Sequence, residues 1–125
     1  MIHPPCAQKF LALLLVLGAT PARAADPVAG EAAYKAQCGL CHPIVPNKNL
    51  AGPSLFGIVG RPSGSVAGFR YSAANAGAHV TWTAETLDAF LKAPREAMPG
   101  TTMLYAGLRD DARRADLIAY LETLR

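Results

Sequence analysis

Apolar positions fall into three unlike patterns along this chain. From Phe10 to Leu17 they run without interruption, FLALLLVL, behind the mildly basic opening MIHPPCAQK. In three later segments they sit among polar residues in the manner of surface helices. Between Pro43 and Thr81 they follow no sustained period, and Gly, Pro, Ser and Asn dominate.

The first pattern resembles a targeting segment rather than a folded element. A basic start, a short apolar run and the small residues of Ala22-Arg23-Ala24 make up the three-part layout of a secretory signal peptide. Cleavage after Ala24 divides the chain into a leader, residues 1–24, and a domain, residues 25–125. The run is much shorter than the roughly 20 residues a membrane span needs, and it has no polar face, as a surface helix would. A retained N-terminal anchor is the competing reading. Cys6 precedes the apolar run, which is the wrong side for a lipoprotein acylation site.

The helical patterns come with their own start and stop signals. Asp26 can cap a helix whose first turn holds Pro27, so that GEAAYKAQC leads into a pair of cysteines, and Pro43 and Pro46 end any helix there. Thr83 can cap AETLDAFLK, which must end before Pro94. Asp110 or Asp111 starts a last helix with Leu117, Ile118, Leu121 and Leu124 on one face. One further helical turn fits Ser72 to Ala76, and PREAMPGTTMLYAG reads as a loop. The expected fold class is therefore all-α, with three main helices and a long irregular segment. Roughly forty structureless residues are unusual in a compact domain. They make sense if the loops wrap a large group that supplies the missing core.

Composition changes the picture in two ways. The net charge of +3 over 125 residues falls to +1 once Lys9 and Arg23 leave with the leader, ten basic residues then facing nine acidic. There is no basic stripe with interleaved aromatics, so nucleic acid is excluded as a partner. Of the three cysteines, Cys38 and Cys41 remain in the domain. A disulfide across C-x-x-C closes too small a loop to stabilise much, which points to a chemical task for the pair.

The sequence Cys38-Gly39-Leu40-Cys41-His42 is the attachment motif for c-type haem. Two thiols three positions apart can each form a thioether with a vinyl group on one porphyrin edge, and the adjacent histidine can then ligate iron. Zinc usually takes four protein ligands, or three and a water; here only this pair and His42 are close in sequence, His79 is the sole other histidine of the domain, and there is no second C-x-x-C. Thiol–disulfide exchange would be expected beside alternating strands and helices, of which there is no sign. Covalent haem attachment is extracytoplasmic in bacteria, in keeping with the leader.

Beyond CGLCH, the chain resembles the class I cytochromes c through GPSLFGIVGRPSG, GFRYSAANAG, VTWTAETLDAFLKAP, PGTTMLYAGL and RADLIAYL. The resemblance spans nearly all of residues 25–125. It implies the cytochrome c fold around one haem c held by Cys38 and Cys41, with His42 and Met103 as axial ligands. Met98 and Met103 are not separated by spacing alone; Met103 matches the family's Pro-Gly-Thr-x-Met pattern. The resemblance further implies that Pro53 accepts from the His42 ring. Tyr71 and Trp82 would donate to one propionate with Arg61 nearby, Thr101 would cap the other, and Asn75 would join a polar network near the methionine. It also implies that Gly30 and Tyr34 cross Leu117 and Tyr120, and that His79 is a non-ligand at the haem edge.

Two departures stand out. Phe90 occupies a position where many relatives carry a tyrosine that reaches the methionine sulfur. The lysine-rich rim of the family is reduced to Lys35, Lys48 and Lys92, leaving Arg70, Lys92, Arg95 and Arg109 as a weaker candidate patch. The implied function is a periplasmic, monomeric single-electron carrier and not an enzyme. It would shuttle between redox partner complexes, such as a membrane cytochrome complex and a terminal oxidase or reductase. A peroxidase-like or ligand-sensing protein, should Met103 leave the iron, and a dedicated electron-delivery subunit of a dehydrogenase are the alternatives.

Overall fold

A computed structural model describes residue 1 and residues 18–125. The apolar run Phe10–Leu17 and Cys6 lie outside the described residues. The described chain forms five helices: α1 (Pro27–Gln37), α2 (Ala73–Ala76), α3 (Ala84–Lys92), α4 (Pro94–Ala97) and α5 (Asp111–Glu122). Among the described residues, extended pairing amounts to one isolated antiparallel bridge, Pro62 to Thr81. None of these helices is long and apolar enough to cross a membrane.

Each main helix starts where a side chain takes up otherwise orphaned backbone N–H groups. Asp26 accepts from the Val28 N–H at 2.9 Å, and Pro27 occupies the first turn. Thr83 and Thr86 cap each other's backbone reciprocally. Asp110 accepts from the Arg113 N–H at 2.9 Å. α1 ends at Gln37, before any proline acts. The Cys38 and Gly39 N–H groups both turn back to the Tyr34 carbonyl, each at 2.8 Å. α4 falls inside PREAMPG, which was expected to be loop. Pro94 supplies its first turn, and four residues are too few to show a hydrophobic period.

The terminal helices cross at Gly30. A Cβ there would overlap the Asp116 backbone carbonyl and press on Tyr120, so only glycine lets the two backbones approach this closely. Tyr34 and Tyr120 extend the contact, with ring centroids 5.5 Å apart. Leu117, which has no exposed surface, fills the space beside the crossing. Burying a leucine of this kind stabilises by roughly 2 kcal/mol. The Asp116 carboxylate is buried and accepts from the Asp26 N–H at 2.7 Å and from the Arg23 guanidinium at 3.2 Å. Those two donors, the backbone one first, hold its pKa below the ordinary carboxylate value.

The long irregular segment is held mainly by hydrogen bonds rather than by apolar periodicity. Buried Ser54 donates to the Val45 carbonyl and accepts from the Phe56 N–H, and its own N–H reaches Asn49. The Gly57 N–H bonds to the Leu124 carbonyl at 2.6 Å, tying the loop to the far end of α5. The Gly60 N–H bonds to the Trp82 carbonyl, and the Trp82 N–H to the Arg61 carbonyl. Buried Arg114 joins α5 to α3 through Asp88 at 2.6 Å and to the intervening segment through the Leu108 carbonyl at 2.8 Å. These ties satisfy backbone groups that no helix or sheet accommodates.

Gly30→Leu is expected to prevent a stable holoprotein, because the side chain has nowhere to go but into the α5 backbone. Gly30→Ala is expected to cost about 1–3 kcal/mol of stability by overpacking. Haem content and thermal midpoint measure both effects, and normal values for Gly30→Leu would remove the crossing as a constraint.

Candidate functional site

The helices and loops enclose a cavity of about 310 Å³. Leu87, Phe90 and Leu91 of α3 and Leu117 and Leu121 of α5 form its apolar wall. Each is buried and belongs to the core cluster. The opposite wall comes from the irregular segments. All ten residues singled out from the sequence line this one space: Cys38, Cys41, His42, Pro53, Arg61, Tyr71, Asn75, Trp82, Thr101 and Met103.

His42 is placed from two sides. Its carbonyl accepts from the Tyr34 hydroxyl at 2.6 Å, and its Nδ1 lies 2.9 Å from the Pro53 carbonyl. A carbonyl can only accept, so Nδ1 carries the proton and Nε2 keeps its lone pair. Burial lowers the His42 pKa, with the Pro53 bond working in the opposite direction and the Arg61 charge lowering it further. The Gly52 backbone packs directly on the ring, and a Cβ there would overlap it.

The two thiols differ. Cys38 is partly buried, and burial pushes its thiol up to about 11. Such a thiol is protonated at neutral pH and is a poor nucleophile for disulfide exchange. Cys41 is exposed at the cavity mouth. Among the described residues no three His, Cys, Asp or Glu side chains gather as a metal-ion cluster, so zinc has no ligand set there.

The polar lining faces a large group that the protein atoms do not supply. The Arg61 guanidinium donates to the Phe56 and Ser54 carbonyls, both at 3.0 Å. Among the described residues no carboxylate forms an ion pair with it. A half-buried cation held only by neutral partners suits an anion in the cavity. The Asn75 Oδ1 is buried without a hydrogen-bond partner. The Tyr71 hydroxyl accepts from the Val66 N–H at 3.0 Å and still has its own proton to donate. The Thr101 hydroxyl accepts from the Met103 N–H at 3.3 Å and is likewise free to donate. Trp82 is buried against Phe90, ring centroids 5.0 Å apart. A flat, mostly apolar group with anionic arms, such as haem, fits this arrangement.

The structure separates the two methionines that spacing left together. Met98 is buried in the core and does not line the cavity; Met103 does. His79 is exposed, sits in the left-handed backbone region at φ 52°, and is not part of the lining. Residues that sequence reasoning passed over also line the space, among them Gln37, Phe69, Ser72 and Tyr105. No local pattern marks Phe69, Ser72 and Tyr105, because loop curvature rather than periodicity turns them inward; Gln37 is the last residue of α1. Leu104, on the lining, and Leu40, between the two motif cysteines, are almost fully exposed. Arg70, Lys92, Arg95 and Arg109 are exposed too, and Arg109 is 3.7 Å from Glu96, which offsets part of that charge.

Residues 25–121 match the family model described as cytochrome C oxidase, cbb3-type, subunit III. The chain is 43% identical to cytochrome c2 of Blastochloris viridis over 118 residues, covering 92% of each chain. It is 45% identical to cytochrome c2 of Rhodopila globiformis, covering 80% of this chain and 94% of that one. Among solved structures it resembles cytochrome cH from Methylobacterium extorquens, with a TM-score of 0.74 and 37% identity, covering 78% of this chain and 98% of that one. A cavity built for haem beside a Cys-x-x-Cys-His turn, within an all-α fold shared along the whole domain, places this chain among the class I cytochromes c, monohaem electron carriers with covalently bound haem c.

Proposed function

We propose that the protein is a periplasmic single-electron carrier whose haem c is attached through Cys38 and Cys41 and ligated by His42 and Met103. The observation that carries this reading is the shared cavity. The thioether of Met103, the motif cysteines and a histidine whose Nε2 is left unprotonated all line it, while Met98 is packed away from it.

When bound, the haem supplies a one-electron ferric–ferrous couple. The chain binds it, orients it and limits its contact with water. His42 is fixed in one tautomer by Pro53, which leaves Nε2 for the metal. Met103 offers a soft thioether, which favours the ferrous state and raises the potential. Tyr71, Trp82 and Thr101, which line the cavity, would donate to propionates, with Arg61 supplying positive charge and Asn75 an unpartnered amide oxygen. If His42 and Met103 both hold the iron, no position would remain for a substrate. Little needs to move between oxidation states, and the role is electron transfer rather than bond-making catalysis.

Donor and acceptor would dock where the cavity opens. Leu104 of the lining is almost fully exposed, as is Leu40 between the motif cysteines, and the exposed arginines are few and partly neutralised. Contact with redox complexes would thus depend more on apolar surface than on a strong basic field.

The leader reading rests on the basic start, the short apolar run and Ala22-Arg23-Ala24. Removing residues 1–24 takes Arg23 from Asp116, but the new α-ammonium of Ala25 stands next to the Asp26 N–H that Asp116 already binds. Expressed with its leader in a bacterium that attaches haem, the protein is expected in the periplasmic fraction with a mass beginning at Ala25. A mass that still includes residues 1–24 would overturn that processing.

Two substitutions test the iron site. Met103→Ala is expected to abolish the weak long-wavelength sulfur-to-iron band of the ferric protein, lower the midpoint potential and let the ferrous form bind carbon monoxide. Met98→Leu is expected to leave all three unchanged; the reverse pattern would reassign the ligand. Phe90→Tyr is expected to raise the midpoint potential, because a phenol directed at the Met103 sulfur weakens its donation to iron. An unchanged midpoint in redox titration would show that Phe90 has no such influence.

A further inference from the structure

One side-chain hydrogen bond at the cavity has no part in the roles above. The Tyr105 hydroxyl donates to the Gln37 Oε1 at 2.5 Å, joining residues 68 apart in sequence. Gln37 is the last residue of α1 and precedes Cys38. Tyr105 lies two residues beyond Met103 in the segment between α4 and α5. Both residues line the cavity.

Besides the packing of Met103 and Tyr105 on the core, few other hydrogen bonds hold that segment. Its residues alternate, with 101, 103 and 105 turned partly inward while Thr102, Leu104 and Ala106 are exposed. The Thr101 N–H bonds to the Met98 carbonyl, and the Met103 N–H to the Thr101 hydroxyl; both bonds are local. The next tie to another element is the Leu108 N–H on the Leu91 carbonyl, at 2.8 Å. Among the described residues, the Tyr105–Gln37 bond is the one hydrogen bond by which residues 99–107 reach a separate element.

We propose that Tyr105 and Gln37 form a latch that positions Met103 over the cavity and sets how readily the sixth iron position opens to a competing ligand. The proposal rests on Met103 being the axial ligand. Opening that position requires the segment around Met103 to swing outward, and the latch has to break for it to do so. Both partners are neutral, so salt does little to weaken the bond. A phenylalanine in place of Tyr105 would keep the ring's packing and lose only the tie. A neutral hydrogen bond of this kind shifts an equilibrium by roughly five-fold. The latch thereby separates a carrier, which keeps both axial ligands, from a protein that admits small molecules to iron.

The test uses ferric holoprotein with imidazole as the competing ligand, followed by loss of the sulfur-to-iron band. Tyr105→Phe and Gln37→Leu are each expected to raise imidazole affinity about five-fold while leaving the band intact without imidazole. The double variant is expected to go no further than either single one, since both remove the same bond. Unchanged affinity in Tyr105→Phe, or additive effects in the double variant, would overturn the latch alone. Should Tyr105→Phe fail to retain haem, Gln37→Leu decides by the same reading, because it alters only a partly exposed helix end. Absence of the band in the unsubstituted protein would overturn Met103 ligation and the latch with it.

Discussion

The constraint on which the rest depends is that this chain does not fill its own centre. Its helices are short, and the apolar faces of α3 and α5 line a space of about 310 Å³ as well as meeting each other. Side chains such as Leu87, Leu91 and Leu121 are buried at its wall, yet on the cavity side they have few protein atoms to meet. Close packing along that wall calls for the atoms of a bound group. The covalent haem of this family supplies them, so the cofactor is part of the core as well as the redox centre. The close passage of α1 over α5 at Gly30 is the counterpart of this arrangement, since it is where backbone meets backbone with nothing between.

Because the core is partly cofactor, the polar groups around it are divided between two tasks. Ser54 and Asn49 satisfy the irregular backbone, so the loops hold a shape without regular structure. Arg61, Tyr71, Thr101 and Asn75 keep hydrogen-bonding capacity or charge in reserve at the cavity. His42 takes part in both, with its carbonyl and Nδ1 engaged by protein and Nε2 left over. The same economy places Met103 on a segment with few ties, where the Tyr105–Gln37 bond carries unusual weight.

Much of the architecture was legible because its causes are local. Thr83, the run AETLDAFLK and Pro94 contain the start, body and stop of α3, and the helix appears between those marks. Asp26 with Pro27, and Asp110, marked the starts of α1 and α5. α4 was not legible, because four residues show no period. The end of α1 at Gln37 was set by a turn toward the Tyr34 carbonyl, not by the prolines further on. The inward positions of Phe69, Ser72 and Tyr105 were also beyond reach, since they depend on how loops curve around a space.

The sequence by itself determined the elements and the attachment chemistry, since a helix cap, a proline stop and the Cys38–Cys41–His42 spacing each act within a few residues. It also held the Pro-Gly-Thr-x-Met pattern, although spacing could not separate Met98 from Met103. Only the tertiary structure buried Met98 in the core, turned Met103 to the cavity and brought Tyr105 to Gln37. Those outcomes join residues far apart in the chain, and side-chain packing in three dimensions is the only thing that relates them.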